Sequence, residues 1–496
     1  MITANVRSVF MQVVVGIVAA LCAVSSGLTL GFSAISLQPL REANGTDHLD
    51  EDEASWFASI SSIATPVGCL LSGPLLDGLG RKRTMMALNA PFLLGWVLLA
   101  AAPSTSSPVA QLYTGRVLTG FASGIASIPA TVYLAEMAQP SLRGMLVTWA
   151  SLSISVGILV VYLLGSVLQG AWRITAAICG VVPVVNVILV LLILPESPVW
   201  LLRKGRRQEA ERAMRWLRGI PKGNPTPGHV THEIEKMAIA GQNENEVHGA
   251  LANVRFILQQ LRRPEAWKPL IVMNGFFFFQ QVTGIYVVVY YAVDIVGEAG
   301  VSIDPYLATV LLGLVQVVGA LGVGFALNRC GRRPLSILSG IGQAVCMVAL
   351  GLYLQFADTK NSSLTWVPLV AMLIYVIAGS IGFHTLPWAM LGEVFPSRIR
   401  GIAAGSTTCV AYIYSFVMLK IYPNLVEGCR ALSEHSSSEG LFYFFGITSV
   451  IAAVFVWLWL PETHGKTLQQ IEMEFAGIAN PPDMEKEQVQ NQSVKM

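Results

Sequence analysis

The chain has 496 residues, of which 53% are hydrophobic and only 12% are charged. A soluble chain carries about 25% charged residues, so this composition excludes an ordinary soluble protein and predicts an integral membrane protein. The net charge of +2 gives no support for nucleic-acid binding. The seven cysteines are scattered and lack metal-ligand spacing, so we expect neither a metal site nor a disulfide framework.

Apolar runs of the length that crosses a bilayer, about 20 residues, occur twelve times. The predicted spans are 10–36, 56–76, 85–102, 109–135, 145–169, 172–194, 268–296, 305–327, 335–356, 364–391, 400–423 and 441–460. The first run is as long as a span and lacks a cleavage site, so we interpret it as a span and not a signal peptide. The predicted fold class is an all-α membrane protein with twelve transmembrane helices.

A polar insert divides the predicted spans into two groups of six. The expected domains are an N-terminal six-helix bundle (1–194), a cytoplasmic helical insert (195–267), a C-terminal six-helix bundle (268–460) and a cytoplasmic tail (461–496). Amphipathic spacing predicts helices at 206–217 and 232–240 of the insert. The insert is too short and too charged to be an enzyme domain, so we expect no enzymatic activity and no cofactor.

The basic residues orient the chain in the membrane. With the N-terminus inside, 26 of the 32 Lys and Arg fall on the cytoplasmic side, as the positive-inside rule requires. The outer side keeps Arg41, Arg116, Arg173, Lys360, Lys420 and Arg430. Both termini are therefore expected in the cytoplasm.

Sequons agree with this orientation. Asn44 and Asn361 each begin an N-x-Ser/Thr sequence in an outer loop, so both are candidate glycosylation sites. The third sequon, at Asn491, would be cytoplasmic and unused.

Charged motifs recur in the two halves about 250 to 270 residues apart, which indicates a duplicated six-helix unit. Glu136 stands seven residues before Arg143, and Glu393 stands seven residues before Arg400. Exposed ion pairs contribute only about 0.2 to 1 kcal/mol each, but a network of several could bias a conformational equilibrium. The predicted cytoplasmic gate comprises Arg81, Glu136, Arg143, Glu196, Arg332, Glu393, Arg400 and Glu462.

A paired amide lies inside the seventh predicted span. Gln280 and Gln281 follow four phenylalanines, and an amide placed in hydrocarbon without a partner costs about 2 to 7 kcal/mol. A water-filled cavity that admits a hydroxyl-rich solute would satisfy both groups. The alternative is that these amides bond to neighbouring helices.

Short motifs recur along the chain from about residue 31 to 467. They are Gly-Arg-Lys (80–82), Arg-Cys-Gly-Arg-Arg (329–333), Gly-Arg (115–116), Pro-Glu-Ser-Pro (195–198), Gln-Gln-Val-Thr-Gly (280–284), Pro-Trp (387–388), Gly-Glu-Val-Phe-Pro-Ser-Arg-Ile-Arg-Gly (392–401) and Pro-Glu-Thr-His-Gly-Lys-Thr (461–467). Together they resemble the sugar porter family of the major facilitator superfamily. Within that family the chain looks most like the insect facilitated trehalose transporters and related hexose facilitators, a likeness that rests on Gly-Ile-Leu-Val-Val-Tyr-Leu-Leu-Gly (157–165), Trp-Arg (172–173) and Leu-Pro-Trp (386–388).

The resemblance implies two six-helix bundles around one central site that opens alternately to either side. It implies sugar contact by Gln280 and Gln281, by Trp388 on span 10 and by Gln316, which stands where mammalian glucose carriers have a sugar-binding Asn. Sugars need polar groups for their hydroxyls and an aromatic plate for their C–H faces. The simpler alternative for each residue is ordinary packing between helices.

Several positions depart from the mammalian glucose carriers. Tyr286 replaces an Asn, Tyr162 replaces a Gln, and Ala411, Tyr412 and Ser415 replace Asn, Trp and Asn. A cavity with fewer amides and more phenols would suit a different sugar or a disaccharide. We include Tyr162, Tyr286 and Tyr412 among the candidate substrate-binding residues.

His384 is the only histidine inside a predicted span, and an ionisable group at membrane depth is a functional candidate. We therefore add it to the candidate site. Proton-driven sugar porters share an Asp on span 1, whereas this chain has Ser33 at the matching position. This favours passive transport over proton coupling.

The sequence therefore predicts a monomeric plasma-membrane facilitator of a neutral sugar, trehalose or a hexose, with the lipid bilayer as its other partner. The alternatives are a proton-coupled sugar symporter and a transport-like sugar sensor. A sensor needs a signalling tail, and only about 36 residues follow span 12.

Overall fold

The computed structural model describes residues 2–43, 48–103, 108–220, 227–228, 230–237, 262–301, 303–327, 329–356, 366–396, 399–432, 439–466 and 468–476. Across these ranges the chain is helical and contains no β-strand, which confirms the predicted all-α class. The candidate glycosylation sites Asn44 and Asn361 lie outside the described residues.

Eleven helices in the described ranges are long and apolar enough to cross a membrane. Spans 1–6 are Arg7–Arg41, Glu51–Leu79, Arg81–Ala100, Val109–Met137, Thr148–Val167 and Trp172–Ile193. Spans 8–12 are Pro305–Gly324, Arg332–Phe356, Val367–Val394, Arg400–Ala431 and Glu439–Trp459. Span 5 continues a helix that begins at Pro140.

Span 7 completes the set of twelve, but it is broken into three helices: Pro264–Val282, Ile285–Tyr290 and Ala292–Glu298. The first break lies at Gly284, whose φ of +88° is in the left-handed region that only glycine adopts at little cost. The interruption places irregular backbone at membrane depth, which is tolerated only inside protein or beside a cavity.

Span 10 is also interrupted, between helices Val367–Ile381 and Leu386–Val394. A Cβ at Gly382 would lie 2.2 Å from the Cβ of Ser339, so the break packs tightly against span 9. Pro387 stands in the first turn of the second helix, where its missing N–H costs nothing. The break thus precedes Pro387 and comprises residues 382–385.

Large apolar side chains cover the outside of the bundle. Val167 is 79% exposed, and Leu192 and Phe356 are each 75% exposed. Such a surface would drive association in water, whereas lipid tails cover it at no cost.

The polar insert and the helix after span 12 pack on opposite halves. The insert forms helices Pro198–Arg203 and Arg207–Leu217 and a helical stretch at 230–237; its Leu217 and Ile234 pack in one cluster with Val15 of span 1. After span 12, helix Leu468–Ala476 packs on the second half, where Lys268 Nζ donates to Phe475 O at 2.9 Å. Residues 238–261 and 477–496 lie outside the described ranges.

Spans 2 and 4 approach each other through glycine. A Cβ built at Gly120 would lie 2.2 Å from Ser61 O and 2.7 Å from Ser61 Cα, closer than any real contact. Small residues at such crossings let backbones meet where no hydrophobic force joins helices in lipid.

We expect Gly120→Val to prevent most of the protein molecules from folding. Overpacking costs about 1 to 3 kcal/mol even where the neighbouring groups can move, and here the neighbour is the backbone of span 2, which cannot move away. Gly73→Val is the matched control: Gly73 lies on span 2, and a Cβ built there would meet nothing within 4 Å. The measurement is the amount of monodisperse protein extracted from membranes. Equal yields for the two variants would contradict the packing argument.

Candidate functional site

The broken parts of spans 7 and 10 meet span 8 of the same half and span 5 of the other half around a small central cavity. Its lining includes Tyr162, Ile285, Val289, Gln316, Ser380 and His384. The cavity measures about 10 Å³, room for about one water molecule. The site is therefore closed around the polar side chains in this conformation, and admission of a sugar requires the broken spans to move.

The two glutamines of span 7 differ in their bonding. Gln280 Nε2 donates to Phe383 O at 2.6 Å and to His384 O at 3.0 Å, so both N–H groups hold the interruption of span 10. Gln281 is 2% exposed, and its Oε1, like that of Gln280, has no hydrogen-bond partner in the described part of the chain, so the bonds of Gln280 Nε2 are what separates the two residues. Adjacent helical residues point about 100° apart, which separates the two roles.

His384 joins spans 8 and 10. Its Nε2 lies 3.2 Å from Gln316 Nε2; because that amide nitrogen is a donor, the neutral imidazole accepts at Nε2 and carries its proton on Nδ1. This Nδ1 is buried and has no partner among the described residues. Ser380 Oγ, which lines the same cavity, is also buried and unpartnered there. Both groups can donate to a solute hydroxyl.

An aromatic group lies beside this polar lining. Trp388 Nε1 donates to Tyr286 Oη at 3.1 Å, and the Tyr286 ring lies 5.2 Å from the His384 ring. The Trp388 ring also packs 5.6 Å from Tyr412 and 4.8 Å from Phe277, centroid to centroid. The structure thus brings Tyr286, His384, Trp388 and Tyr412 together in one wall.

Tyr162 has a structural partner. Its hydroxyl donates to Val289 O of span 7 at 2.7 Å, so it bonds the first half to the second while its ring lines the cavity. In this conformation the hydroxyl is not free for a solute. Sequence reasoning missed Ser380, whose only signal is a small polar residue two positions before the break in span 10.

A buried guanidinium lies in the first half. Arg116 is 0% exposed and donates to Ser33 Oγ at 2.6 Å, Thr29 O at 2.7 Å, Ser61 Oγ at 3.0 Å and Phe57 O at 3.2 Å. No carboxylate is among its hydrogen-bond partners within the described residues. Ser33, which stands where proton-driven relatives have an Asp, thus bonds directly to this cation.

The charged residues predicted to form a gate make one cluster in each half. Arg81, only 4% exposed, pairs with Glu136 at 2.7 Å, and Glu196 accepts from the backbone N–H of Arg81 at 2.8 Å and of Lys82 at 3.1 Å. Ser197 Oγ donates to Glu136. A carboxylate is favoured there because N–H groups at a helix N-terminus are unsatisfied.

The second half repeats this arrangement. Arg332 pairs with Glu393 at 2.9 Å, Glu462 accepts from the Arg332 N–H at 2.9 Å, and Thr463 Oγ1 donates to Glu393 at 2.8 Å. The paired sequence motifs thus correspond to paired clusters, each contained in one half.

The remaining two gate candidates are less fully described. Arg400 Nε donates to Phe395 O at 3.2 Å, also within its own half. The side chain of Arg143 lies outside the described residues. The role of these residues as a cytoplasmic gate that biases a conformational equilibrium stays a prediction.

Comparisons with known proteins agree with this fold. Residues 15–475 match the model of the family described as sugar (and other) transporter. The facilitated trehalose transporter Tret1 of Culex quinquefasciatus is 32% identical over 95% of this chain and 87% of its own length, and that of Polypedilum vanderplanki is 33% identical over 96% and 90%.

Solved structures of the xylose transporter XylE share the fold. The proton:xylose symporter XylE bound to 6-bromo-6-deoxy-D-glucose aligns with a TM-score of 0.73 at 23% identity over 94% of this chain and 100% of that chain. An inward open conformation of XylE from E. coli aligns with a TM-score of 0.74 at 22% identity over 93% and 99%. By its family match and its relatives, this chain belongs to the sugar (and other) transporter family of membrane proteins.

Proposed function

We propose that this chain carries a neutral sugar, trehalose or a hexose, across the plasma membrane by facilitated alternating access, as a monomer with both termini in the cytoplasm. The observation that carries the proposal is a set of polar groups on Gln281, Ser380 and His384 that have no hydrogen-bond partner among the described residues and lie beside aromatic side chains at the interruptions of spans 7 and 10. Buried polar groups without partners are costly, and a solute rich in hydroxyls would satisfy them.

Trehalose is supported by two features. The relatives named above carry trehalose transport in their names. Tyr162 lines the cavity, and Tyr286, Trp388 and Tyr412 pack together beside its His384. Aromatic faces suit the C–H surfaces of two linked sugar rings.

The test is uptake of radiolabelled trehalose, glucose, fructose and sucrose by one heterologous expression system. We expect saturable uptake of at least one of these sugars that stops at the concentration of the medium and is unaffected by an uncoupler. Accumulation above that concentration that the uncoupler abolishes would replace facilitation by proton coupling. Absence of flux for every sugar, with the protein at the surface, would contradict the proposal and favour a sensor.

The environment of Arg116 supports passive transport. A proton-coupled carrier needs a group that gains and loses a proton during the cycle. On span 1, within the described residues, this guanidinium bonds to the hydroxyl of Ser33 and the carbonyl oxygen of Thr29, and neither group titrates. An arginine side chain is not deprotonated in proteins, so Arg116 itself does not supply that group.

We expect Ser33→Asp to make sugar uptake depend on pH, because it places a titratable carboxyl within reach of the Arg116 guanidinium, now 2.6 Å from Ser33 Oγ. Uptake by the unmodified protein should stay flat between about pH 5 and about pH 8, the range in which coupled proton binding is usually seen. Ser33→Asn is the matched control, since it has the same size without a charge. Identical pH profiles for the Asp and Asn variants would contradict this prediction.

A further inference from the structure

The outer ends of the two halves are joined by ion pairs that the sequence reasoning did not identify. Arg41, at the end of span 1, pairs with Asp294 of span 7 at 3.0 Å, and its Nε lies 3.7 Å from Glu51. The Arg41 and Asp294 side chains are only 22% and 20% exposed. The pair thus links the first half to the outermost helix of the broken span 7.

A second pair joins span 2 to span 11. Lys420 Nζ lies 2.5 Å from Asp52 Oδ1 and 2.7 Å from Ser55 Oγ, and it stands 4.8 Å above the Trp56 ring, close enough for a cation–π contact. The neighbouring Phe416 ring packs 5.7 Å from Trp56. One cation of the second half is therefore held by three side chains of the first.

The Arg41–Asp294 pair stands between the outside and the central cavity. A vestibule of about 680 Å³ on the outer side is lined by Arg41 and Asp294. Two residues before Asp294 along span 7, Ala292 lines the closed central cavity. A solute in the vestibule can therefore reach the centre only after span 7 moves away from span 1, and that movement separates Arg41 from Asp294.

We propose that Arg41–Asp294 and Lys420–Asp52 form an outer charge lock that holds the transporter closed toward the outside and breaks in every cycle when the outer side opens. The proposal rests on the alternating access proposed above. The half-buried Arg41–Asp294 pair is the stronger element, because solvent screens the other pair at Asp52, which is 75% exposed.

The lock explains two basic residues on the outer side that the positive-inside rule leaves unexplained. The ion pairs of the two faces also differ in their role. The cytoplasmic clusters of Arg81 and Arg332 each lie within one half and keep that half rigid, whereas the outer pairs cross between halves. Bonds of the second kind are the ones that a rocking motion makes and breaks.

The test measures how often the outer side opens, without requiring sugar flux. Val289→Cys places a thiol on the central cavity, and its modification by a membrane-impermeant maleimide on intact cells reports opening toward the outside. The background rate is measured in the parent chain, which keeps its seven native cysteines. Surface biotinylation normalises every variant.

We expect Arg41→Asp and Asp294→Arg each to raise the modification rate about three- to tenfold, since losing the pair shifts the closed-to-open equilibrium. The double charge swap should bring the rate back to within about twofold of the starting value. Lys420→Asp and Asp52→Lys should give smaller increases that shrink further in high salt. If a charge-reversal variant fails to reach the cell surface, the same modification rate is measured in Arg41→Gln and Asp294→Asn instead.

The matched control is Gln38→Ala. Gln38 Nε2 donates to Glu42 Oε1 at 2.9 Å, and both residues line the same vestibule but belong to the first half, so loss of this bond should leave the modification rate unchanged. The lock is overturned if the rate stays constant in the variants of both crossing pairs, if the control raises it equally, or if the swap at the cell surface fails to restore it. If the modification rates follow these expectations but no sugar flux is found, the result would instead count against the proposed function.

Discussion

Replacing Gln281 by Ala is expected to lower sugar affinity about 5- to 150-fold, the equivalent of about 1 to 3 kcal/mol, while surface expression stays near normal. An amide that makes two hydrogen bonds to a neutral solute, one as donor and one as acceptor, contributes about 0.5 to 1.5 kcal/mol for each bond. Gln281 Oε1 has no hydrogen-bond partner among the described residues, so its removal leaves no protein group newly unsatisfied there. The measurement is concentration-dependent uptake of the best transported sugar, together with surface labelling.

Two controls separate sugar contact from packing. Gln343→Ala removes another buried glutamine of the same half, one that donates to Ser339 Oγ at 3.1 Å on its own span 9 and has an unpartnered Oε1; we expect little change in affinity. Gln280→Ala should instead lower the yield of folded protein, since Gln280 bonds to the interruption of span 10. Unchanged uptake by the Gln281 variant would exclude that residue from the site.

The predicted spans and the central glutamine pair were accessible to sequence reasoning because both depend on local composition. A run of about 20 apolar residues has one interpretation in a membrane protein, and amides such as Gln280 and Gln281 are conspicuous within it. Even span 7, which the structure breaks into three helices, was found by its apolar length. The break itself had a local signal in Gly284.

Which of the two glutamines bonds to span 10 could not be predicted in the same way. Whether Gln280 or Gln281 faces span 10 depends on the rotation of span 7 within the bundle, which is set by tertiary packing. The same limit explains the outer ion pairs. Arg41 and Asp294 are 253 residues apart in the chain, and nothing local in the sequence of either residue indicates the other.

The pseudo-symmetry of the Arg81 and Arg332 clusters conceals a difference in burial that the sequence repeat does not show. The side chains of Arg81 and Glu136 are 4% and 14% exposed, whereas those of Arg332 and Glu393 are 17% and 33% exposed. Burial decides the energetics, because a charge left without its partner costs more where water cannot reach it. Equivalent substitutions in the two halves should therefore have unequal effects.

We expect Glu136→Ala to destabilise the protein by about 3 to 5 kcal/mol, the cost of leaving a buried charge unpaired. Glu393→Ala should cost less, about 1 to 2 kcal/mol, because its better exposed partner Arg332 regains water, and it should mainly shift the balance between outward- and inward-facing states. The measurements are the thermal midpoint of the detergent-solubilised protein and sugar binding from each side. Equal loss of binding from both sides in the Glu393 variant would count against a conformational role for this cluster.

Conservative variants distinguish charge from shape in the same experiment. Glu136→Gln keeps the oxygen that accepts from Arg81 but removes the charge, so the thermal midpoint should fall between those of the unmodified protein and of Glu136→Ala. Asp77 lies 3.6 Å from Arg81 but is 63% exposed, and its solvent-screened charge cannot replace Glu136. If Glu136→Ala and Glu393→Ala shift the midpoint equally, burial is not what separates the two clusters, and the clusters of the two halves contribute equally to stability.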